Sequence, residues 1–105
     1  MATDFKSLAG WSLTGWDLNS SGNFRIELHY LALLPALPRR YSRCDVTFRE
    51  PTFVDIDLLE GMGGGSLMVD AVSETIGHKG GKYRLDFGAM GKMEIEATDY
   101  VLAQY

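Results

Sequence analysis

Two pairs of carboxylates stand at alternate positions in the chain, and they are the residues best placed to do chemistry. Asp55 and Asp57 are separated by one residue, and so are Glu94 and Glu96. Successive side chains of a β-strand point to opposite faces, so each pair lies on one face of its strand. If the two strands are neighbours, four acids share a patch, and a metal ion or a basic partner would offset their repulsion. If the strands do not meet, the acids only keep the surface solvated.

Cys44 is the single cysteine, which excludes an internal disulfide and agrees with a reducing compartment. It alternates with Val46 and Phe48, so we expect it to pack in the core as a small apolar group. A nucleophilic Cys44 would need a histidine nearby. His29 belongs to the polar side of a different strand, and His78 belongs to a loop. The sequence has no short spacing of metal ligands and predicts no catalytic residue, metal or cofactor.

Two glycine-rich segments, 61–66 and 77–81, invite comparison with phosphate-binding loops. Such a loop requires a lysine and then a hydroxyl residue after its last glycine. No lysine follows the first segment, and Tyr83 stands in place of the hydroxyl residue after Lys82 in the second. We therefore predict two connecting loops in which glycine supplies positive φ angles.

The two tryptophans, Trp11 and Trp16, are candidate anchors for a protein interface. They are five residues apart, so an unbroken strand would place them on opposite faces, one in the core and one partly exposed. A bulge at Gly15 would bring them to the same face.

The elements that position these residues are strands, because apolar and polar residues alternate over segments 53–58, 83–87 and 93–97. Further strands are predicted at 11–18, 24–31 and 41–49, with a weaker one at 67–76 that could hold a helical turn. Thr3 or Asp4 would cap a short helix over residues 4–9 that Gly10 ends. We predict one all-β domain over residues 1–105, an antiparallel β-sandwich or small barrel of about seven strands with a short N-terminal helix. The predicted core includes Leu28, Val54, Ile56, Leu85, Phe87 and Ile95.

Charge is distributed unevenly along the chain, whose net charge is −4. Residues 1–50 hold six basic and five acidic residues, whereas residues 51–105 hold four basic and nine acidic ones. An acidic domain repels phosphate backbones, so nucleic-acid binding is disfavoured, although the cluster of Arg39, Arg40 and Arg43 leaves it open. The sequence has neither a secretory signal nor an apolar run of membrane-spanning length, and we expect a cytoplasmic protein.

The order of these features resembles that of small, standalone bacterial β-rich proteins, some of which are similar to immunity proteins of polymorphic toxin systems. The likeness lies in segments 10–13, 16–18, 22–28, 53–58, 65–66, 83–87 and 93–97. It extends over nearly the whole chain and includes no catalytic motif. The resemblance implies a protein that acts by occupying a partner protein.

These observations predict a non-enzymatic protein-binding module that neutralises a basic toxin domain through an acidic face. The residues expected to bind are Asp55, Asp57, Glu94, Glu96, Trp11 and Trp16. Complementary charge would speed association and orient docking. One alternative is a small hydrolase or isomerase with a site in a cleft, which a pocket holding His29 or Cys44 would favour. Another is a homo-oligomeric structural protein joined through its strand edges or sheet faces.

Overall fold

The structure is a computed structural model that describes residues 4–32, 40–58 and 67–104. Within these ranges a short 3-10 helix, Phe5–Leu8, precedes nine strands, and a 3-10 turn, Gly88–Met90, lies between the seventh and eighth. The strands are β1 (Ser12–Leu18), β2 (Phe24–Ala32), β3 (Arg40–Arg49), β4 (Phe53–Leu58), β5 (Leu67–Met68), β6 (Ala71–Gly77), β7 (Gly80–Asp86), β8 (Gly91–Ala97) and β9 (Asp99–Gln104).

The strands form two antiparallel sheets, which confirms the predicted all-β sandwich. One sheet has the order β5-β1-β2-β3-β9, and the other has the order β4-β8-β7-β6. The described residues contain nine strands instead of about seven, for two reasons. Segment 67–76 bends at Val69 and Asp70 and so supplies both β5 and β6. The sequence does not predict strand β9, because residues 100–103 are apolar at every position and show no alternation.

Bent strands join the two sheets at two corners. At the first, β3 leads into β4 through Glu50 and Pro51, and β8 leads into β9 through Thr98. The Thr98 amide donates to the Arg49 carbonyl over 2.9 Å, which holds the two bends together. Glu50 has a φ of 51°, a left-handed conformation that turns the chain sharply. Pro51 therefore lies where the chain changes sheets.

The second corner lies between β5 and β6. The Val69 amide donates to the Trp11 carbonyl over 2.7 Å, which keeps this residue with the five-stranded sheet. The next amide, that of Asp70, donates to the Asp86 carbonyl over 2.7 Å and belongs to the four-stranded sheet. One peptide unit thus carries the chain from one sheet to the other.

The core lies between the sheets, and most of the predicted inward faces are confirmed. Leu28, Leu85 and Ile95 are fully buried and Phe87 is nearly so. Ile56 is partly buried and packs against the core. Val54 was expected in the core, but it is 38% exposed because β4 is the edge strand of its sheet.

The N-terminal segment closes one end of the core as a 3-10 helix. The Asp4 side chain accepts a hydrogen bond from the Ser7 amide over 3.0 Å and caps the helix, and Gly10 follows with a φ of +92°. Phe5 is fully buried, and its amide donates to the Tyr100 hydroxyl over 2.9 Å. The aromatic rings that pack around it are those of Phe48, Tyr83 and Tyr100.

Candidate functional site

The two acidic pairs lie on one surface, because β4 and β8 are hydrogen-bonded neighbours. Asp55 stands directly opposite Glu94, and Glu96 stands opposite Phe53. The intervening residues of both strands face the core, so these side chains all point outward. We call the outer surface formed by β4, β8 and β7 the acidic face.

Cations of β8 itself and of the neighbouring β7 neutralise the two glutamates of this face. The Lys92 Nζ lies 2.9 Å from Glu94 Oε1, and the Arg84 guanidinium lies 3.5 Å from the same oxygen. Lys82 lies 3.9 Å from Glu96. The hydrogen bond from Lys92 is the main cause of a lowered pKa for Glu94, and the nearby positive charges add to it. Alternation along β8 alone places Lys92 beside Glu94 on the outer face. The contacts of Arg84 and Lys82 depend on the pairing of β7 with β8, which the sequence does not show.

Asp55 and Asp57 are exposed, and within the described residues neither forms an ion pair. Lys92 lies opposite Asp57 in the strand register, yet its ammonium group bonds to Glu94. The uncompensated negative charge of the acidic face therefore lies along β4. Phe53 precedes the two aspartates on the same side of this strand and is 46% exposed. We call Phe53, Asp55 and Asp57 the acidic edge.

The two tryptophans lie away from this edge. Trp11 is only 4% exposed and packs against Tyr30, with the ring centroids 5.5 Å apart, so it has little surface to offer a partner. The strand register shifts between Leu13 and Gly15, which is the bulge expected here. Trp16 consequently stands opposite the buried Ile26, on the inner side of the five-stranded sheet, and is 43% exposed. The structure therefore does not group either tryptophan with the acids.

The Cys44 thiol and the His29 imidazole point to opposite faces of the five-stranded sheet. Cys44 is fully buried opposite Leu28, and burial, helped by the nearby charge of Asp45, raises the pKa of the thiol to about 11. His29 lies on the outer face, where its Nε2 is 3.6 Å from Glu27. This arrangement does not support a cysteine–histidine nucleophile.

A second charged surface, which the sequence did not reveal, covers the outer face of the five-stranded sheet. Arg43 bonds to Asp45 and to Glu27, each over 3.0 Å. Arg25 bonds to Asp17 over 3.1 Å and lies 3.3 Å from Asp45. Acids and bases alternate here across neighbouring strands, so this face has little net charge to attract a partner.

Cavities and metal-binding geometry add no second site in the described part of the chain. An open groove of about 570 Å³ runs beside the β6–β7 turn between His78 and Glu96, and a smaller one lies near Glu50. Neither groove includes His29 or Cys44. Within the described ranges, no three carboxylate, histidine or cysteine groups are arranged to hold a metal ion. None of the helices described there is long and apolar enough to cross a membrane.

Compared with protein-family models, curated proteins and solved structures, the chain matches none of them. The glycine segment 61–66 and Arg39 lie outside the described residues. Arg43, which the sequence grouped with Arg39 in a basic cluster, is bonded to carboxylates. The acidic edge is accordingly the surface from which a function can best be inferred.

Proposed function

We propose that the protein is a non-enzymatic binding module that holds a basic partner protein against its acidic edge. The observation that supports this most is the pair Asp55 and Asp57, two exposed carboxylates with no compensating cation among the described residues. Each of the other three acids of the face is close to a cation, Glu94 to Lys92, Glu96 to Lys82 and Asp86 to Arg84. A partner that brings lysine or arginine to β4 would therefore meet unpaired charge.

The exposed ring of Phe53 favours the same class of partner. It adjoins Asp55 on the outer side of β4 and leaves nearly half of its surface to solvent. An arginine or lysine that reaches the aspartates can lay its apolar stem on this ring, or its charged head over the ring face. Aromatic residues are enriched in the buried centres of protein interfaces. The acidic edge thus combines an apolar anchor with two charges of one sign.

The resemblance to immunity proteins suggests a basic toxin domain as the partner, and the charge of the acidic edge is suited to one. Such a protein neutralises its target by occupying it and needs no chemistry of its own. Charge complementarity serves this role because it raises the rate of association and fixes the orientation of docking.

Affinity capture with matched charge reversals tests the proposal. Parent protein, Asp55→Lys and Asp70→Lys are immobilised and exposed to lysate of the source cell at low salt. Both aspartates are exposed, and the two substitutions change the net charge equally. Asp70, however, lies in the corner between the sheets and away from the acidic edge. We expect a basic protein that parent and Asp70→Lys retain and Asp55→Lys loses. Retention of the same proteins by all three would contradict the proposal.

A further inference from the structure

The backbone of β4 has one edge that pairs with β8 and one edge that no strand of the described residues occupies. The direction of the hydrogen bonds shows which groups lie on the open edge. The Gly91 carbonyl accepts from the Phe87 amide over 2.9 Å, so this residue of β8 is bonded toward β7. The Glu96 carbonyl accepts from the Thr52 amide over 2.8 Å, so the even-numbered residues of β8 are bonded toward β4. Thr52 itself lies in the bend before β4 and takes no part in the alternation of that strand. Amide and carbonyl groups alternate between the two sides of an antiparallel strand.

In this register Phe53, Asp55 and Asp57 bond to β8, and the amides and carbonyls of Val54, Ile56 and Leu58 point to the open edge. The side chains alternate between the two faces of the sheet. Those of Val54, Ile56 and Leu58 therefore face inward, and those of Phe53, Asp55 and Asp57 face outward. Val54 faces inward yet is 38% exposed, and Ile56 and Leu58 are only partly buried. Among the described residues, the open edge thus has hydrogen-bonding groups without a partner, an apolar side that no strand covers and a negatively charged side.

We infer that the partner contributes an extended segment that adds to β4 as a further strand of the four-stranded sheet. Its alternate residues would be basic, facing Asp55 and Asp57, and apolar, covering Val54 and Ile56. Main-chain hydrogen bonds to a sheet edge supply affinity in this binding mode, and alternate side chains supply specificity. The inference rests on the proposed function and specifies how that partner binds.

Charge argues against a second copy of this chain as the added strand. An antiparallel pair of β4 strands centred on Ile56 would place Asp55 opposite the second copy's Asp57 on the outer face. Like charges directly opposite one another destabilise a strand pair. Lysine or arginine at the same positions gives the favourable pairing instead, so the edge suits a basic strand.

Amide hydrogen exchange with a synthetic probe tests the inference residue by residue. The probe is a short peptide of alternating lysine and valine, and its control has the same composition with the lysines grouped together. In the free protein, we expect slow exchange at Asp55 and Asp57 and fast exchange at Val54 and Ile56. The alternating peptide should slow exchange at Val54 and Ile56, and the grouped peptide should not. Equal effects of the two peptides would overturn the inference, because general charge attraction would then explain binding.

Two substitutions at one position separate the backbone contribution from that of the side chain. Val54→Pro removes the outward amide, and Val54→Ala keeps it while removing part of the side chain. Proline is tolerated on an edge strand where its nitrogen faces solvent, so both variants should fold. We expect Val54→Pro to bind the alternating peptide roughly three- to tenfold more weakly than Val54→Ala, the effect of one lost hydrogen bond. If Val54→Pro unfolds, the parent protein is tested instead with an alternating peptide that is methylated on one edge-facing amide, with the same expected loss.

The outcomes distinguish this inference from the proposed function. Equal binding by Val54→Pro and Val54→Ala, together with weaker binding by Asp55→Lys, would overturn strand addition and leave an acidic docking surface. Unchanged binding in all three variants would overturn both. Protection of Val54 and Ile56 that rises with protein concentration in the absence of peptide would assign the edge to a second copy and overturn the inference.

Discussion

At the scale of single residues, Cys44 shows how burial determines reactivity. The thiol packs between the sheets with no exposed surface, and its pKa is raised to about 11 because the thiolate cannot be solvated there. At pH 8 we therefore expect Ellman's reagent to label the native protein very slowly and the denatured protein at once. Rapid labelling of the native protein would restore Cys44 as a candidate nucleophile.

The same residue makes stability depend on pH. The thiol ionises more easily in the unfolded chain, so the unfolded state binds fewer protons once the pH exceeds the ordinary pKa of a thiol. The part of the free energy of unfolding that depends on Cys44 should be intact below about pH 9 and should be lost between pH 9 and about 11. Other groups titrate in this range, so the measurement is the difference between the parent and Cys44→Ala in urea unfolding at several pH values.

The face on which a side chain lies is more predictable from the sequence than the residues that it contacts. The alternation of Asp55 and Asp57, and of Glu94 and Glu96, was enough to predict that all four point outward. It did not predict that Arg84 neutralises Glu94 or that Lys82 neutralises Glu96, because a period of two says nothing about which strands adjoin. The location of the unpaired charge on β4 follows only from the three-dimensional arrangement.

At the scale of elements, the close approach of β8 to β4 at one end of their pairing requires a glycine. Gly91 has a φ of +120°, and an added Cβ there would collide with the Asp57 carbonyl of the neighbouring strand. Gly91→Ala should therefore cost about 1–3 kcal/mol and speed amide exchange along β4. Gly15→Ala is the matched control, since no atom lies within 4 Å of the added Cβ, and it should change stability by less than about 0.5 kcal/mol. Equal effects of the two substitutions would contradict the described packing of Gly91.

The segment between β1 and β2 has a turn signal in the sequence, whereas the corner between β5 and β6 has none. The turn from Asn19 to Asn23 is closed by the Asn19 side chain, and β1 and β2 pair across it. The division of 67–76 into β5 and β6 has no comparable signal, since Val69 and Asp70 are not turn formers as a pair. Their bend is imposed by hydrogen bonds to residues far away in the chain.

At the scale of the whole molecule, the sandwich is stabilised by the apolar layer between the sheets. Leu85 and Ile95 are fully buried in that layer, whereas Val54 lies at its edge. Leu85→Ala or Ile95→Ala should lower the free energy of unfolding by about 2–5 kcal/mol. Val54→Ala should lower it by about 1 kcal/mol or less, because much of its side chain is in water in the folded state. Urea unfolding of the three variants measures the difference, and equal losses would mean that β4 is buried as deeply as the central strands.

The all-β class was predictable because alternation is a local signal, whereas the arrangement of the sheets is not local. Two corners, at Glu50–Thr98 and Val69–Asp70, determine which strands reach an edge. The corners leave β4 at the edge of its sheet, so a partner can approach Asp55 and Asp57 from the side of the strand that does not pair with β8. The candidate site is therefore a consequence of topology more than of any motif.

The rate of association measures the central claim most directly. It should be recorded for the captured basic partner with the parent, Asp55→Lys and Asp70→Lys at low and physiological ionic strength. The charge of the acidic edge steers encounter, so Asp55→Lys should slow association about tenfold at low salt, and Asp70→Lys should slow it much less. The difference should shrink as salt shortens the Debye length to about 8 Å. Equal rates for Asp55→Lys and the parent at low salt would contradict the assignment of the acidic edge as the binding surface.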